Sequence, residues 1–367
     1  MPNSPRLPQV ALSKTYNISV VGPPRAGKSC LCNRFALPHP DYYRKDHLSV
    51  LSTADFVGEI INFDHWLYWG CVSRQVDDYT VNFRIIEQTE FVDDSTFQPF
   101  ASQKHGMELV SREDYVQRSA TVHLSSDHKL RYICKDQLGQ ENIYEKEYFP
   151  SGDIEVNGFV LVCDIGRQQL ATHHRSDRSC ASQQAITQEI LTLLLKLRKP
   201  VVLAISKFDT YGSQGVEELS SLLQKSNDFK KIPLIETSAH ENINIENTFL
   251  SLVKLIDKPR APKIRCPRYV DAIQERKTEV AVALKAFCKV MGQAPCEFLN
   301  SWDAFMARYS QQTDVVTYLR LVGTSDARSQ FENYVEHRRQ LTKQHNLDQI
   351  AGLLSHFVPS LDIVRDK

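Results

Sequence analysis

Ile18-Ser-Val-Val-Gly-Pro-Pro-Arg-Ala-Gly-Lys-Ser29 runs from an apolar strand pattern into a glycine-bearing loop over 22–29. A strand that stops at such a loop and restarts as a helix points several backbone N–H groups into one hollow, at the positive end of the helix dipole. In that setting Lys28 reaches the β- and γ-phosphates of a nucleotide, and the Ser29 hydroxyl ligates Mg²⁺. The helix is expected over 27–36, with Leu31 and Phe35 four apart on one face. A chance succession of strand, loop and helix is the alternative, and the agreement of all three elements argues against it. The loop points to a nucleoside triphosphate without fixing its base.

Base identity is expected from two later strands. Residues 200–209 read Pro-Val-Val-Leu-Ala-Ile-Ser-Lys-Phe-Asp, a buried-strand pattern ending in Ser206, Lys207 and Asp209. A carboxylate there accepts from guanine N1–H and the exocyclic amine, whereas adenine would leave it unpaired. The aliphatic stem of Lys207 would cover the base–sugar plane. Ile235-Glu-Thr-Ser-Ala239 is a second short strand, whose Ser238 and Ala239 place a backbone N–H within reach of guanine O6. Between loop and base motifs, a strand over 130–135 is expected to run into Asp136-Gln-Leu-Gly-Gln140. Asp136 would hold Mg²⁺ through a water, Gly139 would donate its N–H to the γ-phosphate, and Gln140 would orient an attacking water. A polar turn is the bland account of those residues.

These four elements resemble the Ras-like small GTPases. Further strings narrow the likeness: Ser49-Val-Leu-Ser-Thr-Ala-Asp-Phe56, Leu67-Tyr-Trp-Gly70, Glu87-Gln-Thr-Glu-Phe91 and Glu236-Thr-Ser-Ala239. With them the chain resembles the N-terminal GTPase domain and first FF domain of the p-one-ninety class of RhoGAPs, from about residue 16 onward. The resemblance implies a P-loop α/β fold, tight binding of GTP (or GDP) with Mg²⁺, slow or absent hydrolysis, and partners in Rho-type signalling. It implies nucleotide contacts from Gly22, Arg25, Ala26, Gly27, Lys28, Ser29, Cys30, Gly139, Ser206, Lys207, Asp209, Ser238 and Ala239. The implied metal set is Ser29, Thr53 and Asp136, with Ser49 and Ser52 as rivals to Thr53, and Gln140 is the catalytic candidate. The catalytic domain of that RhoGAP class is expected beyond Lys367, so no GTPase-activating activity is expected of this chain.

Two departures stand out. Ser29 and Asp136 lie much farther apart than a compact domain of this kind needs, so much of 64–129 is expected to be an insertion, carrying strand-like runs at 67–73 and 79–91. Pro24 lacks an N–H, which removes one potential donor from the loop, and Arg25 stands where small residues are usual.

Composition fits a soluble protein of the cytoplasm. The formal net charge is zero, which supports neither nucleic-acid nor membrane binding by the whole chain. No apolar run reaches membrane-span length, and the nine cysteines show no secreted-framework spacing. Residues 1–15 read as a disordered leader and 16–258 as the nucleotide domain. A stiff, basic, proline-bearing linker is expected over 259–268, a helical domain over 269–358, and a tail over 359–367. His173, His174, Asp177 and Cys180 read as a polar loop rather than a metal site.

In the first domain, strands at 17–21, 130–135, 158–164, 200–206 and 232–236 alternate with helices at 27–36, 181–198, 215–226 and 245–257, the mark of a mainly parallel sheet covered on both faces. Beyond Pro267 only helices are expected, over 270–291, 301–309 and 327–354. Phe287, Trp302 and Phe331 fall at the aromatic positions of an FF-like module, whose class binds proteins and often phosphopeptides. Two functions stay open: a slow GTP-dependent switch, and a scaffold in which bound GTP·Mg²⁺ is a structural cofactor.

Overall fold

A computed structural model describes residues 13–23, 25–43, 66–76, 79–88, 112–124, 152–166, 183–213, 216–224, 229–257 and 266–357. The chain divides into an α/β unit, comprising 1–38 and 43–273, and a helical unit, comprising 39–42 and 274–367.

Six strands form the principal sheet of the α/β unit: β1 (Ser13–Val21), β2 (Trp66–Val76), β3 (Tyr79–Gln88), β6 (Gly158–Asp164), β7 (Val201–Ser206) and β8 (Leu234–Glu236). Their order is β2-β3-β1-β6-β7-β8. Only the β2–β3 hairpin is antiparallel, and every other neighbouring pair is parallel. A separate antiparallel pair joins β4 (Thr121–Leu124) to β5 (Gly152–Glu155). The helices are α1 (Lys28–Ala36), α2 (Arg112–Ala120), α3 (Gln183–Lys196), α4 (Phe208–Tyr211), α5 (Val216–Gln224) and α6 (Ile245–Asp257).

The strands are apolar on both faces because helices cover both. In β6, Phe159, Leu161 and Cys163 enter one core with Ile186, Ile190, Leu191 and Leu194 of α3. The alternate residues Val160 and Val162 enter the other, with Leu31 and Phe35 of α1 and Phe249 and Leu252 of α6. Phe249 stacks on Phe35 at 3.9 Å between ring centroids, and Phe83 meets Phe35 edge-on at 5.1 Å.

This topology corrects one expectation. The two strand-like runs assigned to the insertion belong to the principal sheet: 66–76 and 79–88 are integral strands, and β3 pairs with β1 along eight residue partners. The physical reason is the side-chain pattern of β3, where Val81, Phe83 and Ile85 are fully buried at alternate positions. The strand expected at 130–135 lies outside the described residues.

In the helical unit, α7 (Tyr269–Gln293, entering the unit at Gln274), α8 (Trp302–Tyr309), α9 (Thr313–Val322) and α10 (Thr324–Phe357) surround one apolar cluster. Phe287 stacks on Tyr318 at 4.8 Å, and Trp302 packs edge-on against Phe331 at 5.5 Å. The three aromatics singled out in the sequence therefore share a core. Helix α9 is an addition to the expected helices, held by burial of Val315, Tyr318 and Leu321 on one face. Ser301 caps α8 by accepting from the Ala304 N–H. The carboxylate of Asp41 caps α10, accepting from the Thr324 N–H at 2.7 Å.

Among the described residues, no helix is long and apolar enough to cross a membrane.

Candidate functional site

β1 sits where the chain reverses direction across the sheet, with β3 on one side and β6 on the other. Open α/β sheets bind ligands outside the carboxyl ends of their strands at such a point. The loop after β1 lies there, and so do the last residues of β3, β6, β7 and β8.

The loop is tightly built. A Cβ on Gly22 would stand 2.3 Å from the Val162 carbonyl oxygen, so only glycine fits. Gly27 opens α1 at φ 93, and Arg25 is held at φ 61, a region few L-residues occupy. Lys28 is buried, and its Nζ donates to the carbonyls of Gly22 (2.9 Å) and Pro23 (2.8 Å). Ser29 Oγ donates to Glu87 Oε1 at 2.6 Å, and Trp69 Nε1 donates to Glu87 Oε2 at 2.8 Å. Cys30 is an inert thiol here, because burial pushes it up to about 11.

Three further segments close on the loop. Ser206 Oγ donates to the Ala26 carbonyl at 2.5 Å. Lys207 Nζ donates to the Arg25 carbonyl at 2.9 Å and to Asp164 Oδ2 at 2.6 Å. Asp209 lies in the first turn of α4, and its Oδ1 is buried with no hydrogen-bond partner among the described residues. An orphaned carboxylate oxygen is costly unless something pairs with it. After β8, Arg34 Nε donates to the Ala239 carbonyl at 3.0 Å, while Ser238 bridges to Ile243. Tyr43 follows α1, lies 4.3 Å under the Arg34 guanidinium and reaches His240 Nδ1 through its hydroxyl at 3.2 Å.

Gly22, Arg25, Ala26, Gly27, Lys28, Ser29, Cys30, Ser206, Lys207, Asp209, Ser238 and Ala239 thus gather at the carboxyl end of the sheet. Thr53, Asp136, Gly139 and Gln140, with Ser49 and Ser52, lie outside the described residues, as do His173, His174, Asp177 and Cys180. Among the described residues, no group of three or more His, Cys, Asp or Glu side chains could hold a metal. Two carboxylates here are additions to the sequence expectation: Glu87, next to last in β3, and Asp164, the last residue of β6. An acid directly after an alternating apolar run was the available signal in β3.

Glu87 is 1% exposed, and burial raises its pKa above the ordinary carboxylate value of 4.5, against hydrogen bonds from Ser29 and Trp69 and the charge of Lys28. With the folded-state value raised, the unfolded chain loses its proton first as pH rises. The buried carboxylate therefore subtracts stability above the ordinary range and none well below it. Glu87→Gln is expected to stabilise the nucleotide-free protein at pH 7, a gain that fades toward pH 4. Urea unfolding at the two pH values measures it; an equal or opposite change at pH 7 contradicts it.

No protein-family model matches the chain. It is 34% identical over 372 residues to Rho GTPase-activating protein 35 of Mus musculus, covering 95% of this chain and 23% of that protein. The Rattus norvegicus protein of the same name gives the same identity and coverage. Rho GTPase-activating protein 190 of Drosophila melanogaster is 34% identical over 362 residues, 95% of this chain and 22% of its own. The chain spans about a quarter of the length of these curated relatives, and its homologues are Rho GTPase-activating proteins.

Proposed function

We propose that the α/β unit is a Ras-like domain that binds GTP with Mg²⁺ and turns it over slowly or not at all. The helical unit is then an FF-like protein-interaction module, and the whole acts in Rho-type small-GTPase signalling, in keeping with the names of its relatives. The observation that carries the reading is the buried Oδ1 of Asp209, unpartnered among the described residues, at the carboxyl end of the sheet that also holds the Lys28 loop.

The residues fit the nucleotide. Lys28 already points an ammonium at the loop mouth, where phosphate oxygens outcompete the two carbonyls it now meets. Asp209 supplies the acceptor that guanine N1–H and N2–H need, and Lys207 supplies the apolar stem beside it. Ser29, Thr53 and Asp136 would hold the metal, with Glu87 bonded behind Ser29. Bound there, Mg²⁺ would neutralise charge on the β- and γ-phosphates. Pro24 removes a loop donor, which favours slow turnover, and Gln140 is the proposed water-orienting side chain.

The scaffold reading draws on the same site. Buried Glu87 and the positive φ values of Arg25 and Lys207 are costly features. A permanently held GTP·Mg²⁺ would offset them by mass action.

Base choice is the test. Asp209→Asn should lower GTP affinity by about 10²-fold or more and confer binding of xanthosine triphosphate, because the amide donates where the carboxylate accepted. A variant that still prefers GTP contradicts the reading.

A further inference from the structure

Asp164 ends β6 and is 3% exposed, an acid at the end of a strand whose other residues are all apolar or glycine. Both its oxygens are used. Oδ1 accepts from the Gly166 N–H at 2.8 Å, and Oδ2 accepts from Lys207 Nζ at 2.6 Å. Lys207 also donates to the Arg25 carbonyl, so one ammonium ties the end of β6 and the start of α4 to the loop after β1. The lysine backbone sits at φ 56, a conformation that persists only where its surroundings hold it. A lysine side chain free in solvent samples many rotamers, and ordering it on binding weakens affinity.

We propose that Asp164 is a positioning residue for the nucleotide site: it fixes Lys207 against the loop, so that the lysine stem forms a ready-made wall over the base and sugar. Asp164 itself is not assigned a contact with the nucleotide. It acts by keeping Lys207 in place between binding events, and so slows release of GTP. The inference rests on the nucleotide reading above and adds a residue to it.

Asp164→Asn tests this, because asparagine keeps the acceptor for Gly166 and the side-chain size but presents no charge to Lys207. GTP dissociation, followed with a fluorescent GTP on the full chain, should speed up about tenfold. Lys207→Met should speed it at least as much, and the double variant should be no faster than Lys207→Met alone, the non-additivity of two groups acting as one. A merely structural Asp164 would give additive effects. Lys207→Arg keeps a cation for Asp164 and should release GTP more slowly than Lys207→Met, a comparison that stands even if Asp164→Asn fails to fold. Unchanged release from Asp164→Asn, additive effects, or equal release from the arginine and methionine variants would overturn the proposal while leaving GTP binding intact. A wild-type chain that retained no GTP would overturn the site reading together with this one.

Discussion

Lys28→Ala is expected to weaken GTP binding by about 10²–10³-fold, while the protein stays folded. Truncating one member of a buried, hydrogen-bonded charge pair costs about 2–5 kcal/mol, and each 1.4 kcal/mol is a factor of ten. Lys28 is 6% exposed, and its ammonium is aimed at the mouth of the loop by the first turn of α1. Its Nζ meets two backbone carbonyls, and its charge also favours the ionised form of buried Glu87, so stability is measured beside affinity. Calorimetric titration with GTP and Mg²⁺, alongside a circular dichroism melt, separates the two effects. An affinity within a factor of a few of the wild type would show that the loop does not hold phosphates.

The second large effect is on stability. Phe249→Ala is expected to destabilise the α/β unit by about 3–5 kcal/mol, a large share of the 5–15 kcal/mol typical of a domain. Phe249 is fully buried between α6 and the sheet. It stacks on Phe35 at an interplanar angle of 16° and meets Phe83 edge-on at 6.2 Å. Phe35 is on the helix that Lys28 and Ser29 open, so the cavity should also loosen the loop and raise nucleotide release. Chemical denaturation gives the stability change, and a loss under about 1 kcal/mol would mean that this core collapses around the gap.

Much of this arrangement was legible in the residues. The loop was readable because its glycines, its lysine and its flanking apolar runs are dictated by local backbone chemistry. Ser206, Lys207, Asp209, Ser238 and Ala239 were readable because short strands ending in polar residues keep their order along the chain. Glu87 is not legible there, because strand pairing across many residues is a long-range property that its own segment does not reveal. The apolar alternation through Val81, Phe83 and Ile85 belongs to a sheet strand, and its pairing with β1 brings the next carboxylate to Ser29. Asp164 escaped notice for another reason: a lone acid after an apolar run says nothing about its partner until β6 and β7 lie side by side. Helix α9 shows the same limit, since burial of one face holds it.

The most direct measurement is to purify the full chain in Mg²⁺-containing buffer, denature it with heat, and identify the released nucleotide by ion-exchange chromatography. Guanine nucleotide in near-equimolar amount is the predicted result, with GTP alone favouring the scaffold reading and a GTP–GDP mixture favouring the switch. Protein that emerges free of nucleotide, and then takes up no labelled GTP with Mg²⁺ present, would contradict the account.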